Sequence, residues 1–173
     1  MAADTNSYAT SPELRPFVYD PATNPELFDG VRTRRIFAFL IDAIIILAPV
    51  ALAGTVILLL SIVTLGLGLV LFWPLQVGAV IWAVLYYGFT FGSTSSATIG
   101  MRVMDIEMRT WYGAPCYFVL GAVHAIFYWL SISMLTPFVL VVSLFNTRKR
   151  LLHDMLLGTV VINNPSRAAL LRR

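Results

Sequence analysis

The feature that most constrains this chain is an apolar stretch from Ile36 to Phe91 that contains one side chain charged at neutral pH, Asp42. A membrane-spanning helix needs about 20 apolar residues, and helices of soluble proteins seldom exceed that length. The 173 residues are 58% hydrophobic and only 12% charged, whereas about 25% of an ordinary soluble domain is charged. The sequence therefore predicts one integral membrane domain.

The stretch is too long for a single crossing. Its 56 residues would make a helix of about 84 Å, against a hydrocarbon core of about 30 Å. The segment Thr64 to Gly68 is the best place for a turn, and Pro74 then falls near the start of the second helix, where a missing backbone donor costs least. We expect two full spans, at residues 36–62 and 69–91.

A short strand is predicted after the second span. Apolar and charged side chains alternate there, with Met104, Ile106 and Met108 against Asp105, Glu107 and Arg109, and a turn follows at Trp111 to Gly113. The basic residues before the first span should stay in the cytoplasm. The loop that carries the strand should then be cytoplasmic too.

The third apolar segment leaves two topologies open. Residues 117–145 number 29, fewer than the roughly 40 that two full spans require, yet the basic residues that follow favour a cytoplasmic C-terminus. We favour two short helices, broken near Ser133 to Pro137, that form a shallow or re-entrant hairpin with both ends in the cytoplasm. Three spans with an external C-terminus are the alternative.

The predicted fold class is an all-α polytopic membrane protein with two full transmembrane helices, a broken or re-entrant helical hairpin, a short cytoplasmic β element and an interfacial amphipathic helix. The leucines of residues 151–157 predict that amphipathic helix. The expected division is a disordered cytoplasmic tail at residues 1–30, a membrane domain at 31–163 and a basic tail at 164–173. Prolines spaced along residues 12–25 prevent a regular helix in the first segment.

Asp42 is the first candidate for a functional role. It lies seven residues after Arg35, on the same stripe of a helix, and an Asp at mid-membrane costs roughly 2.5 to 3.5 kcal/mol on insertion scales. One interpretation is a proton or cation site. The other is a structural ion pair with Arg35, Arg102 or a basic residue of the tail.

Other ionisable residues are weaker candidates. Arg150 and Asp154 have the i, i+4 spacing of a helical ion pair, next to His153. His124 lies within the third apolar segment, where an imidazole can change charge near neutral pH. The sequence has no nucleophile with its base, no phosphate-binding loop and no metal triad, and Cys116 is the only cysteine. We predict no catalytic residues, no metal and no cofactor.

Three separate motifs resemble the RDD family of bacterial membrane proteins. They are Arg35 to Asp42, Thr98 to Arg102 followed by a strand, and His153 to Val161. The resemblance implies a small multi-pass protein of the bacterial inner membrane, whose name-giving residues would here be Arg35, Asp42 and Asp154. It also implies that some members are transporters or sodium/proton exchangers. Met101 and His124 depart from the family, which often has basic residues at these positions.

Two functions follow as expectations, neither of them enzymatic. The first is ion-coupled transport of protons or sodium, with Asp42 as the binding group and Arg35, Asp154 and the auxiliary candidates Arg102, His124, Arg150 and His153 around it. The second is a structural or accessory subunit or assembly factor, with the three charges as a structural network. The expected partners are the lipid bilayer and a homo-oligomer or larger membrane complex. The net charge of +3 reflects membrane sidedness and does not indicate nucleic acid.

Overall fold

Two long helices form an antiparallel hairpin. The computed structural model describes residues 19–130 and 152–172, with side chains from residue 154 in the second range. Helix α1 runs from Val31 to Val63 and helix α2 from Phe72 to Phe91, preceded by a 3-10 helix at Leu67–Leu71. Both helices are long and apolar enough to cross a membrane. The two predicted long apolar helices are confirmed.

The hairpin turns where the sequence predicted. Gly66 has a φ of +97° and its backbone N–H donates to the Ser61 carbonyl oxygen at 2.7 Å. Glycine adopts this left-handed conformation at little cost because it has no Cβ. Gly68 approaches the same turn of α1 so closely that a Cβ at this position would lie 2.6 Å from Ser61 Oγ. Two glycines thus permit the reversal and the close packing.

A two-stranded antiparallel sheet lies beside the helices. Strand β1 is Ile106–Thr110 and strand β2 is Thr159–Asn163, with Met108 opposite Val161. The predicted strand therefore starts two residues later than the alternation suggested. Met104 instead caps helix α3, Ile99–Val103, and Asp105 follows with a φ of +54°. The predicted turn after β1 is present, and Gly113 has a φ of +86°.

The two faces of the sheet pack on different partners. Ile106, Met108 and Val161 belong to the main core together with residues of α1 and α2. Val160 and Ile162 face the other way and pack against Phe28, which is 2% exposed. The core therefore lies between the sheet, the N-terminal half of α1 and the C-terminal end of α2.

The expected disordered tail needs a correction. Residues 1–18 lie outside the described residues, but Pro25–Leu27 form a 3-10 helix, and Phe28 then enters the core. The side-chain amide of Asn163 donates to the backbone oxygens of Glu26 and Asp29, at 2.8 and 2.9 Å. Burial of an aromatic side chain and these hydrogen bonds order the segment, and proline is well suited to the first position of a short helix. The prediction was wrong for residues 19–30.

Most of the predicted basic C-terminal tail forms a helix. Helix α6, Pro165–Leu171, begins with an N-cap in which the Asn164 side chain accepts a hydrogen bond from the Arg167 backbone N–H. Arg172 then forms an ion pair with Glu26 at 2.7 Å. The C-terminal helix therefore lies against the N-terminal segment.

The third apolar segment is described only at its start. Helix α4 covers Phe118–Leu130 and packs closely on α2, since a Cβ on Gly121 would lie 2.6 Å from Phe91 Cβ. The predicted break near Ser133 to Pro137 lies outside the described residues. Helix α5, Leu152–Leu156, falls within the segment predicted as an interfacial helix. Asp154 on this helix is fully buried, whereas Leu156 is 66% exposed.

Candidate functional site

Asp42 lies at the contact between α1, α2 and α3 and is 3% exposed. Its Oδ1 accepts hydrogen bonds from the Tyr86 hydroxyl at 2.5 Å and from the Gly100 backbone N–H at 2.8 Å. Its Oδ2 accepts one from the Thr98 hydroxyl at 2.5 Å. All three donors are neutral: Tyr86 belongs to α2, Thr98 is the N-cap of α3, and Gly100 lies in the first turn of α3. The carboxylate acts as an acceptor that joins three elements.

The local sequence explains why α3 can approach Asp42. Thr98 is the N-cap of α3, and its hydroxyl also accepts a hydrogen bond from the Met101 backbone N–H, which is the usual role of threonine at a helix start. Gly100 has no side chain, so the backbone of α3 lies directly on α1. A Cβ at Gly100 would overlap the Ala38 carbonyl oxygen and lie 2.9 Å from Asp42 Cγ. A small residue is required here by packing.

Arg35 and Asp154 form a second buried site. Arg35 Nη2 lies 2.5 Å from Asp154 Oδ2, and the side chains are 16% and 0% exposed. A guanidinium that donates to a carboxylate forms a charge-assisted hydrogen bond, which is stronger than one between neutral groups. This pair links the first turns of α1 to α5.

His124 adjoins this ion pair. Its Nε2 lies 3.7 Å from Asp154 Oδ1, and its side chain is 8% exposed. The imidazole also makes an edge-to-face contact with Phe91 of α2, with ring centroids 5.6 Å apart. Helix α4 therefore contributes a titratable group to the neighbourhood of Asp154.

The expected network of three charges is divided into two sites. Arg35 pairs with Asp154, whereas none of the residues that the structure describes forms an ion pair with Asp42. The expectation that Asp42 pairs with Arg35 or Arg102 was therefore wrong. Seven residues of α-helix rise by about 10 Å, so the two groups occupy different levels along α1, and hydroxyl and amide donors compensate Asp42 in place of a cation.

The remaining predicted residues fall into three cases. Arg102 forms no ion pair with Asp42 or Asp154, and its guanidinium donates to the Ala97 carbonyl oxygen and the Ser93 hydroxyl. Arg150 lies outside the described residues, so its predicted pairing with Asp154 stays a prediction. His153 lies on α5, whose described side chains begin at Asp154.

The sequence analysis did not predict Tyr86 as a site residue. It also did not recognise Thr98 and Gly100 as hydrogen-bond donors, although both lie in the motif from Thr98 to Arg102.

A second polar feature lies on the outer face of the sheet. A groove of about 560 Å³ runs between the N-terminal segment, the sheet and α6. Glu107 and Arg109 form an ion pair in it at 2.9 Å, and this pairing raises the pKa of Arg109 above its ordinary value. Burial raises the pKa of Tyr19 at the same groove. Within the part of the chain that the structure describes, no three His, Cys, Asp or Glu side chains cluster as metal ligands would.

The chain matches the model of a known protein family. The model of the RDD family matches residues 30–158, which is most of the chain and includes both buried sites. The chain belongs to the RDD family. Neither the comparison with curated proteins nor the comparison with solved structures gives a match.

The resemblance noted in the sequence is thereby confirmed, and the chain is an RDD membrane protein with two candidate spans. The match ends at Gly158, directly before β2. The strand that completes the juxtamembrane sheet therefore follows the matched region, while its partner β1 lies within it.

Proposed function

We propose that this RDD protein is a non-enzymatic structural or accessory component of a membrane complex, and that its buried charges fasten a juxtamembrane sheet to a helical hairpin. The observation that carries the proposal is that the carboxylates of Asp42 and Asp154 already have partners. Asp42 accepts three hydrogen bonds, and Asp154 pairs with Arg35. A carboxylate has about four acceptor positions, so little capacity for a transported cation is left at Asp42.

The contacts around Asp42 support an assembly role. An Asp at this depth is costly unless it is compensated. Its three donors hold α2 through Tyr86 and the start of α3 through Thr98 and Gly100. The same carboxylate therefore sets the angle at which the chain leaves the second span and enters β1.

The sheet supports a topology with an even number of crossings. Strand β1 follows α2, and β2 follows the third apolar segment, yet the two strands are paired. Paired strands lie on one side of a membrane, so the segment between them has to return to the side from which it left. The N-terminal segment joins them through Phe28 and Glu26. Together with the positive-inside rule, this favours cytoplasmic placement of both termini and disfavours the three-span alternative.

The test of the structural proposal is Asp42→Asn in the full-length chain. The amide keeps the shape of the carboxylate but replaces one acceptor oxygen by a donor that faces a hydroxyl or an N–H group. We expect lower abundance in the membrane and a lower Tm in detergent, because an unmatched buried polar group costs about 1–3 kcal/mol. Sodium and proton flux into liposomes should be the same for wild type, variant and empty liposomes. A flux above that of empty liposomes which Asp42→Asn abolishes would overturn the proposal.

The partner is tested separately. Purification in a mild detergent should recover the chain as a homo-oligomer or with a larger membrane complex, and Asp42→Asn should reduce that recovery per mole of chain. A wild-type chain that migrates as a monomer, both alone and after mild extraction from its membrane, would contradict the accessory role.

Ion-coupled transport is the second candidate, and the observation in its favour is the position of His124. A buried histidine 3.7 Å from Asp154 and beside Arg35 is the kind of group that proton-coupled transport uses. A bundle of so few helices would need a homo-oligomer to form a pathway. This candidate predicts a flux in proteoliposomes under a pH or sodium gradient that His124→Gln reduces. The absence of flux from wild type would end it.

A further inference from the structure

Arg102 is a cation that the two buried sites do not use. Its Nε donates to the Ala97 carbonyl oxygen at 3.1 Å and its Nη2 to the Ser93 hydroxyl at 2.8 Å. Both acceptors are neutral, and no carboxylate of the described residues lies within ion-pair distance of it. A guanidinium has five N–H donors, so most of its capacity is free in the exposed Arg102 side chain.

The surroundings of Arg102 are apolar and exposed. On the same short helix α3, Ile99 is 42% and Val103 is 58% exposed. The opposite side of α3 is occupied, because Gly100 lies against Ala38 and Asp42 of α1. The outer face of α3 therefore presents a cation between two aliphatic side chains.

The depth of α3 in the membrane follows from its packing against α1. Around the contact with Ala38, α1 exposes Phe37 and Leu40 at 51% and 49%. Exposed apolar side chains at this level belong in contact with lipid in a chain of a membrane family. Arg102 lies in the last turn of α3, next to the connection that leads out of the helices into β1. These positions put its guanidinium at the boundary between hydrocarbon and water.

We propose that the outer face of α3 binds the headgroup of an anionic phospholipid, with Arg102 on the phosphate and with Ile99 and Val103 against the upper acyl chains. Charge complementarity selects the lipid. The planar guanidinium fits phosphate oxygens in a bidentate manner, and it has two N–H groups fixed by neutral acceptors, which orient it before binding. The lipid would brace the same α3 that Asp42 holds from inside.

The test uses the purified full-length chain in detergent, with phosphatidylglycerol and phosphatidylcholine as probes and native mass spectrometry as the readout. We expect preferential retention of phosphatidylglycerol. A single arginine near an anionic surface contributes enough for about a fivefold change in affinity, so Arg102→Gln should weaken phosphatidylglycerol binding about fivefold and leave phosphatidylcholine binding unchanged. Equal binding of both lipids by wild type, or unchanged phosphatidylglycerol binding by Arg102→Gln, would overturn the proposal.

Three controls separate binding from folding. Arg172→Gln removes the same charge from an exposed ion pair with Glu26 and should leave lipid binding unchanged. Arg102→Lys loses the two fixed hydrogen bonds but keeps the charge, so it should retain most of the preference for phosphatidylglycerol, and an equal loss in both variants would contradict the charge-based proposal. Inorganic phosphate supplies the same anion without acyl chains, and displacement of the lipid by millimolar phosphate would also contradict it.

Discussion

The guanidinium of Arg35 and the carboxylate of Asp154 lie 2.5 Å apart, although 119 residues separate them in the chain. Arg35 is in the first turns of α1, and Asp154 is on α5, three residues before the turn that leads into β2. Because β2 follows α5 in the chain and pairs with β1, the ion pair and the sheet close the membrane domain at the same end. Its stability should depend on this contact.

We expect Arg35→Gln to destabilise the protein strongly. Removal of one partner from a buried ion pair costs about 3–5 kcal/mol, since the other charge stays buried. The Arg35 side chain retains 16% exposure, so we expect the lower end of this range, which corresponds to a loss of roughly 10 °C in Tm. Thermal unfolding in detergent, followed by circular dichroism, measures it.

Two further variants serve as controls for this prediction. Arg172→Gln breaks an exposed ion pair with Glu26, and such pairs contribute little to stability because water and salt screen them. The double variant Arg35→Gln/Asp154→Asn removes both charges and should recover part of the loss. Equal Tm losses for Arg35→Gln and Arg172→Gln would show that the buried ion pair stabilises the protein no more than the exposed one.

Gly100→Ala should separate α3 from α1. The added methyl group would overlap the Ala38 carbonyl oxygen and press on Asp42, and overpacking of this kind costs about 1–3 kcal/mol. We expect a lower Tm and faster proteolysis of the connection between α2 and β1. Gly78→Ala is the matched control, because nothing lies within 4 Å of a Cβ there and alanine favours a helix interior. If both variants unfold at the same temperature, the close contact at Gly100 is not important for stability.

Cys116 should react slowly with thiol reagents in the folded protein. It is 5% exposed, and burial raises its pKa to about 12. The thiolate is the reactive form, so labelling at pH 8 should be very slow and should rise about tenfold with each pH unit up to pH 12. Maleimide labelling followed by mass spectrometry checks this, with the SDS-unfolded chain as the positive control. Complete labelling of the folded chain within minutes at pH 8 would contradict it.

Reporter fusions should place the C-terminus on the same side as the N-terminus. Arg172 pairs with Glu26, and β2 pairs with β1, so the first and last segments that the structure describes meet at one sheet. We expect a cytoplasmic signal from a reporter fused after Arg173 and an external signal from one inserted at Gly66 in the hairpin turn. An external signal from both positions would require three crossings and would be incompatible with the sheet.

The sequence was sufficient where the controlling property is local. The length of the apolar stretch predicts two helices because each hydrocarbon crossing needs a fixed number of residues, and the glycines at Gly66 and Gly68 predict the turn because of their conformational freedom. Apolar and charged side chains alternate around Met108, and this predicts a strand because successive side chains of a strand point to opposite faces. The family, too, could be recognised from short motifs.

The partners of the buried charges could not be predicted in this way. Arg35, Asp42 and Asp154 were expected to form one network, since the cost of a buried charge implies a partner but does not identify it. In the tertiary structure Arg35 forms an ion pair with Asp154. Asp42 instead accepts hydrogen bonds from neutral donors, namely Tyr86, Thr98 and Gly100. By itself the sequence determined where the two long apolar helices lie and that the acidic groups needed compensation, because length and polarity act along the chain. Only the tertiary structure decided which donor reaches which carboxylate, because that depends on distances between elements far apart in sequence.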